Sequence, residues 1–289
     1  MTYDEPVFRP PSEARSLILQ VTIGCSHNEC TFCSMYRGKR FRVKSRDEVR
    51  ADIEEARATL GDGVRRVFLA DGDAMCLPAA RLSDTLDSLA VAFPRLQRVG
   101  IYANARDILR KSHDELVALR ARRLKIVYMG LESGDDETLA DIGKGATAPE
   151  IVEAVRKAQA AGMSASVMVL VGLAGTERSL EHARRSAKAI NSMAPAFTAL
   201  LTYTPTPRSP LADRVARGEF RLPSPIESLR EIREFVRGVS CETYFTCNHA
   251  SNYVPLVGRL PGSKAEILAA LDAAIEGTLP LKPEFMRGL

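Results

Sequence analysis

No apolar run in this chain approaches the roughly 18 residues that a membrane-crossing helix needs, so no membrane span is expected. The opening residues, MTYDEPVFRPPSEAR, are acidic and proline-bearing and lack the apolar stretch of a signal peptide. Cysteine is sparse. Six in 289 residues fall far below the density of small secreted scaffolds, which excludes a disulfide framework as the basis of the fold. An excess of either charge is missing too: 40 basic against 36 acidic side chains leave a formal net charge of +4, too mild to imply nucleic acid by itself. Apolar residues are plentiful at 45%, with 26% charged. The chain can therefore bury a large core, and its length suits one large domain or one with a small appendage. This composition agrees with a soluble cytoplasmic enzyme.

Half of the cysteines are clustered. Cys25, Cys30 and Cys33 stand in IGCSHNECTFCSMY with the spacing C-x4-C-x2-C. Three thiolates in one short loop can hold a cubane iron–sulfur cluster and leave its fourth iron without a protein ligand. A cluster that only carries electrons usually has four protein ligands, so an open iron points to chelation by a small molecule. The amino and carboxylate groups of S-adenosylmethionine fit that position. A structural zinc site is the main alternative, but it needs a fourth ligand with its own close partner, and the C-x5-C spacing of Cys241 and Cys247 is loose for one.

The triad, with the aromatic Phe32 just before its third cysteine, resembles that of the radical S-adenosylmethionine (radical SAM) enzymes. Further along, apolar β-rich runs alternate with helical patterns, which predicts a parallel sheet with crossover helices. Strands are expected at 17–23, 67–70, 98–103, 125–131, 165–171 and 198–203. Helices are expected at 46–60, 80–92, 112–122, 149–161 and 225–238, with one more capped by Thr176. Ser45 and Glu48 form a capping box for the first helix. Six β–α units are too few for a closed eightfold barrel. The family it resembles uses a partial six-stranded barrel, so the expected fold is α/β: a partial (β/α)6 TIM-like barrel over 1–238, with its core at 16–210, and a short C-terminal cap at 239–289.

Parallel sheets bind ligands at the C-terminal ends of their strands, and the polar and glycine-bearing motifs fall there in turn. Asp71, Gly72 and Asp73 resemble the family's glycine-rich turn for the methionine amino group, although the usual pattern is Gly-Gly-Glu. Glu132 and Ser133, within Gly130–Gly134, resemble the strand-four segment of the branch containing coproporphyrinogen dehydrogenases, methylthiotransferases and Elongator-type enzymes. That likeness implies contact with the cofactor's ribose or methionine end. Gly172, opening Gly172–Gly175, resembles the turn near the adenine. Asn104 can read ribose or substrate groups through its amide. Tyr203 can bound the adenine or serve the core.

Beyond the cluster loop, Arg37–Lys44 carries five cations and reads as a solvated face or a carboxylate-binding strip. The segment Cys241–Tyr253 gathers Asn248, His249, Ser251 and Asn252, and His249 is expected to act as an acid–base catalyst on the substrate side. Cys76, Cys241 and Cys247 read as inert thiols, with a second cluster or a hydrogen-atom donor as alternatives. The resemblance implies a 4Fe–4S cluster on Cys25, Cys30 and Cys33 with S-adenosylmethionine bound beside it. It also implies reductive cleavage of that cofactor to a 5′-deoxyadenosyl radical, and hydrogen abstraction from a small-molecule substrate. Electrons are expected from a flavodoxin- or ferredoxin-type donor. A tRNA-modifying enzyme and a non-enzymatic electron carrier are the two rival readings.

Overall fold

Strand and helix alternate along the computed structural model, which describes residues 3–288. In chain order the elements are β1 (Leu17–Gln20), β2 (Thr22–Ile23), β3 (Arg42–Val43), α1 (Arg46–Leu60), β4 (Arg66–Ala70), α2 (Ala79–Ala92), β5 (Arg98–Tyr102), α3 (Ala105–Leu109), α4 (His113–Ala121) and β6 (Leu124–Glu132). There follow α5 (Asp136–Asp141), α6 (Ala148–Ala160), β7 (Ser164–Val171), α7 (Ser179–Met193), β8 (Phe197–Thr202), α8 (Pro210–Ala216), α9 (Pro225–Gly238), β9 (Thr243–Thr246), β10 (Val257–Leu260) and α10 (Lys264–Ile275). One mostly parallel eight-stranded sheet runs β1-β4-β5-β6-β7-β8-β9-β10, with β2 and β3 as a separate pair. This is the α/β architecture of a partial TIM-like barrel. No helix among the described residues is long and apolar enough to cross a membrane.

The chain divides into two compact units. The first comprises residues up to Asn28, Met35–Met129 and Glu153–Ala165, and the second Glu29–Ser34, Gly130–Val152 and the chain from Ser166 onward. In the first, β1 pairs in parallel with β4 (Leu17 with Val67), β4 with β5 (Arg66 with Arg98) and β5 with β6 (Ile101 with Val127). Phe68, Ala70, Ile126 and Tyr128 form a buried cluster, with the rings of Phe68 and Tyr102 edge to face at 4.9 Å. α1 turns Val49, Ile53 and Ala56 inward, the spacing of one helical face. Its capping box at Ser45 and Glu48 is formed as expected.

In the second unit β7 and β8 pair in parallel from Ser166 with Phe197 to Val171 with Thr202. β9 continues in parallel on β8, and β10 returns antiparallel on β9. The expected cap therefore begins as sheet: the segment after residue 239 adds two strands that the six-strand reading lacked. Each is four residues long, too short for periodicity to declare it. The helix expected from Thr176 starts later, with Arg178 at its N-cap. Gly172 and Gly175 adopt φ of +91° and +62°, and the turn they permit delays the helix while the Thr176 amide donates to the Arg221 carbonyl. α7 and α9 pack so closely that a Cβ on Gly238 would lie 2.8 Å from that of Ala187.

Candidate functional site

The end of β4 in the first unit is built around Asp71. Its Oδ2 accepts from the Gln20 amide (3.1 Å), the Gly24 backbone N–H (3.0 Å) and the Lys39 ammonium (3.1 Å). Gly24 immediately precedes Cys25, so this carboxylate fixes the entry to the cysteine loop. Gly72 donates back to the Gly24 carbonyl at 3.2 Å. A side chain at Gly72 would meet the Tyr36 ring at 2.4–2.9 Å, so only glycine lets the turn and that ring lie together. Sequence reasoning singled out Gly72 but missed Tyr36 and Lys39. The aromatic type in CSMY was the one signal for the first, and the second was hidden in a cationic run.

Asp73 anchors the next residue of the loop. It hydrogen-bonds the Ser26 hydroxyl, and its Oδ1 accepts the Asn104 backbone N–H at 3.2 Å. Burial pushes its carboxyl up to about 7, helped by the neighbouring Asp107 charge. Arg106 closes this group: it donates to Ser26 Oγ at 2.5 Å and to Asp107 at 3.3 Å, and it lies within electrostatic reach of Cys25. Arg106 was not anticipated, because nothing in the sequence distinguishes it from the other arginines. The Cys76 thiol near these carboxylates is pushed up to about 12, by burial first and by Asp73 and Asp107 next.

In the second unit Thr31, between Cys30 and Cys33, receives its backbone bonds from afar. Its N–H reaches the Ile142 carbonyl at 2.8 Å, and its carbonyl accepts from Leu211 N–H at 2.9 Å and Ser209 Oγ at 3.1 Å. Ser209 Oγ in turn meets the Tyr203 hydroxyl at 3.1 Å, and Ser34 meets Thr206 at 2.7 Å. Tyr203 is thus buried and braces this part of the loop through Ser209. Phe32 stands half-buried between the two cysteines. All three cysteines of the loop are half-buried.

Glu132 ends β6 with φ of +60°, a region that non-glycine residues seldom adopt. Its carboxylate folds back over Gly130, where a Cβ would sit 1.7 Å from Oε1, and pairs with Lys144 at 3.0 Å. Strain of this kind concentrates at functional sites. Ser133 is fully buried, its hydroxyl against His182 Nδ1 at 2.7 Å and accepting the Asp135 N–H at 2.9 Å. Gly172 donates its N–H to Glu231 at 2.8 Å. His249 bonds Ser251 Oγ through Nδ1 at 2.9 Å, and burial, with Lys282, lowers its pKa. Ser251 and Asn252 are buried against the end of β8, at Thr202 N–H (3.2 Å) and Thr202 Oγ1 (2.9 Å). Cys247 is fully buried, its thiol pushed up to about 12.

Three buried polar atoms just beyond strand ends lack a protein partner: Asp71 Oδ1 after β4, Asn104 Nδ2 after β5 and Thr204 Oγ1 after β8. Buried polar atoms are nearly always satisfied, so each of these atoms is free to bond a ligand's polar group. The donor set in the cysteine loop, three closely spaced thiols, has the chemistry of an iron–sulfur site. No three His, Cys, Asp or Glu side chains among the described residues gather as one metal ion would require. A cubane holds each cysteine on a separate iron and does not ask for that convergence.

A mostly parallel α/β sheet with a three-cysteine loop after its first strand is the arrangement of a class of iron–sulfur enzymes. The profile of the radical SAM superfamily matches residues 19–187, and the chain belongs to that superfamily. No curated protein matches the chain. Among solved structures it is similar to coproporphyrinogen III oxidase from Escherichia coli, a radical SAM enzyme, at 20% identity and a TM-score of 0.57, over 77% of this chain and 51% of that one. Methylornithine synthase is similar at 18% identity and a TM-score of 0.54, over 78% of this chain and 63% of that one. A radical SAM methyltransferase from Kitasatospora setae, solved with cobalamin and a 4Fe–4S cluster, gives 19% and 0.56, over 70% and 39%. At these identities the likeness shows the fold, and the chain spans about half the length of the Escherichia coli oxidase.

Proposed function

We propose that this radical SAM enzyme abstracts a hydrogen atom from a small-molecule substrate, with a 4Fe–4S cluster on Cys25, Cys30 and Cys33. The observation that carries the reading is the pair of orphaned polar atoms at Asp71 and Asn104 in the first unit, each just past a strand end. When bound, the cluster and S-adenosylmethionine supply one-electron cleavage of the C5′–S bond and a 5′-deoxyadenosyl radical that takes the substrate hydrogen. The chain's own residues orient and enclose. Asp71 and Lys39 fix the loop entry, and Asp73 and Arg106 hold Ser26, the residue after Cys25. In the first unit the Asn104 amide and the Gly72 turn are offered as cofactor contacts, and in the second Glu132 and the Gly172 turn are. Phe32 and Tyr203 bound the cofactor's surroundings. His249, whose pKa is lowered by burial and by Lys282, stands on the substrate side as the acid–base imidazole.

A tRNA substrate is disfavoured by how the basic run is used. Lys39 pairs with Asp71, Arg42 with Glu48 and Lys44 with the buried Asp52. Lys39 and Lys44, both with buried side chains, are thereby committed within the fold and withdrawn from any contact with phosphates. A flavodoxin- or ferredoxin-type protein remains the proposed electron donor. Anaerobic incubation of the iron-loaded protein with S-adenosylmethionine and dithionite tests the reading. It should release 5′-deoxyadenosine and methionine in equal amounts; a protein that takes up electrons and leaves S-adenosylmethionine intact is the electron carrier instead.

A further inference from the structure

Two turns of the second unit, Glu132–Gly134 after β6 and Gly172–Gly175 after β7, are held from behind by buried polar side chains on α7 and α9. We propose that His182 on α7 and Glu231 on α9 are positioning residues that set these two turns in their cofactor-receiving conformation. The inference rests on the reading of both turns as cofactor contacts.

Ser133, His182 and Glu231 lie in a line. Ser133 Oγ is 2.7 Å from His182 Nδ1, and His182 Nε2 is 3.4 Å from Glu231 Oε1. The same Oε1 accepts the Gly172 N–H at 2.8 Å, while Oε2 bonds Ser179 Oγ, at the first residue of α7. The imidazole also bonds the Leu170 carbonyl in β7. With Nε2 as the donor to that carbonyl, Nδ1 accepts from Ser133, whose oxygen is left to accept the Asp135 N–H. Every polar atom in the chain of contacts is then matched. Serine, histidine and glutamate in this order resemble an acyl-transfer triad, but none of the three exceeds 1% exposure. No substrate carbonyl could reach the serine.

What the line does reach is backbone. Gly172 has φ of +91°, and its N–H is the first of the turn; without Glu231 that buried donor loses its acceptor. Gly134 presses on α7, where a Cβ would strike the Arg185 carbonyl at 2.3 Å, and its N–H donates to Ser186 Oγ at 2.8 Å. The turn bearing the strained Glu132 is thus registered on α7 through Ser133 and Gly134, and the Gly172 turn on α9 through Glu231. The helices α7 and α9 are in direct contact, and Ser179 ties the glutamate of one to the start of the other.

Equilibrium binding of S-adenosylmethionine to the anaerobically iron-loaded protein tests this, with iron content and melting temperature measured on each variant. Glu231→Ala should raise the dissociation constant about tenfold, the scale of one lost hydrogen bond at the turn. Glu231→Gln, which keeps an acceptor for Gly172, should stay within about threefold of wild type. Should Glu231→Ala prove insoluble, Glu231→Asp replaces it: its shorter side chain falls short of Gly172 and should bind about tenfold more weakly than Glu231→Gln. Iron content should stay at the wild-type level in all of them. Equal affinity for the acceptor-lacking and acceptor-keeping variants overturns the inference while leaving the function intact. Failure of the wild-type protein to bind S-adenosylmethionine overturns the cofactor reading and this inference with it.

Discussion

Gly72 shows what single residues contribute. The family's usual Gly-Gly-Glu is replaced here by Asp71-Gly72-Asp73, and the structure gives each acid a task. Asp71 gathers Gln20, Gly24 and Lys39 on one oxygen and leaves the other without a protein partner. Asp73 bridges Ser26 and the Asn104 backbone. Between them the glycine is pressed by Tyr36, so Gly72→Ala should cost about 1–3 kcal/mol of stability, the range for overpacking a tight site. A thermal melt of the iron-free protein measures it. Gly63→Ala, where nothing lies within 4 Å of the added Cβ, is the control and should be near neutral.

At this scale the sequence was partly legible. Cys25, Cys30 and Cys33 were evident because their spacing is unusual, and Glu132 because its neighbours form a motif. Ser133 was recognised in the same motif, yet its hydroxyl faces His182. A motif reports which residues recur together and not which way each side chain points. Arg106, Lys39, His182 and Glu231 carried no local signal, because partners more than thirty residues away define them.

Among the elements, α7 and α9 carry the most testable electrostatics. Burial drives Glu231 up to about 7, and it drives His182 down to about 4 against the pull of Asp135. Glu231 is thus raised above its unfolded value, and the stabilisation from its protonated form is lost as pH rises toward about 7. His182 is depressed below its unfolded value, and its stabilisation is lost as pH falls from about 6.5 toward about 4. Between about 4.5 and 6.5 the two slopes oppose, and the pair holds one proton both folded and unfolded. In His182→Asn only the glutamate remains. Its melting temperature should fall relative to wild type as the pH is raised from about 5 to about 7. Parallel curves for the two proteins would show that His182 is not held neutral by its burial. Element boundaries were well read where caps and long periodic runs mark them, as in α1 and α9. Short elements were not: α3, α5, α8, β9 and β10 each span seven residues or fewer, too few turns or alternations for periodicity to register.

In the whole molecule, one loop is proposed to hold one cluster. The other thiols are chemically ill-suited to join it, since Cys76 and Cys247 are each pushed up to about 12 and Cys241 is also raised by burial, whereas iron binds the thiolate. The order of strands and the family were legible from the alternation of elements and from the triad. The return of the chain through β9 and β10 was not, because it is fixed by pairing with β8 and not by local pattern. The most direct test is the iron content of anaerobically reconstituted protein. Wild-type protein should carry about four irons per chain with a brown chromophore. Both should be lost when Cys25, Cys30 and Cys33 are replaced together by alanine, and both retained when Cys76, Cys241 and Cys247 are. Iron that survives the first triple replacement, or falls by half in the second, would contradict a single cluster on this loop.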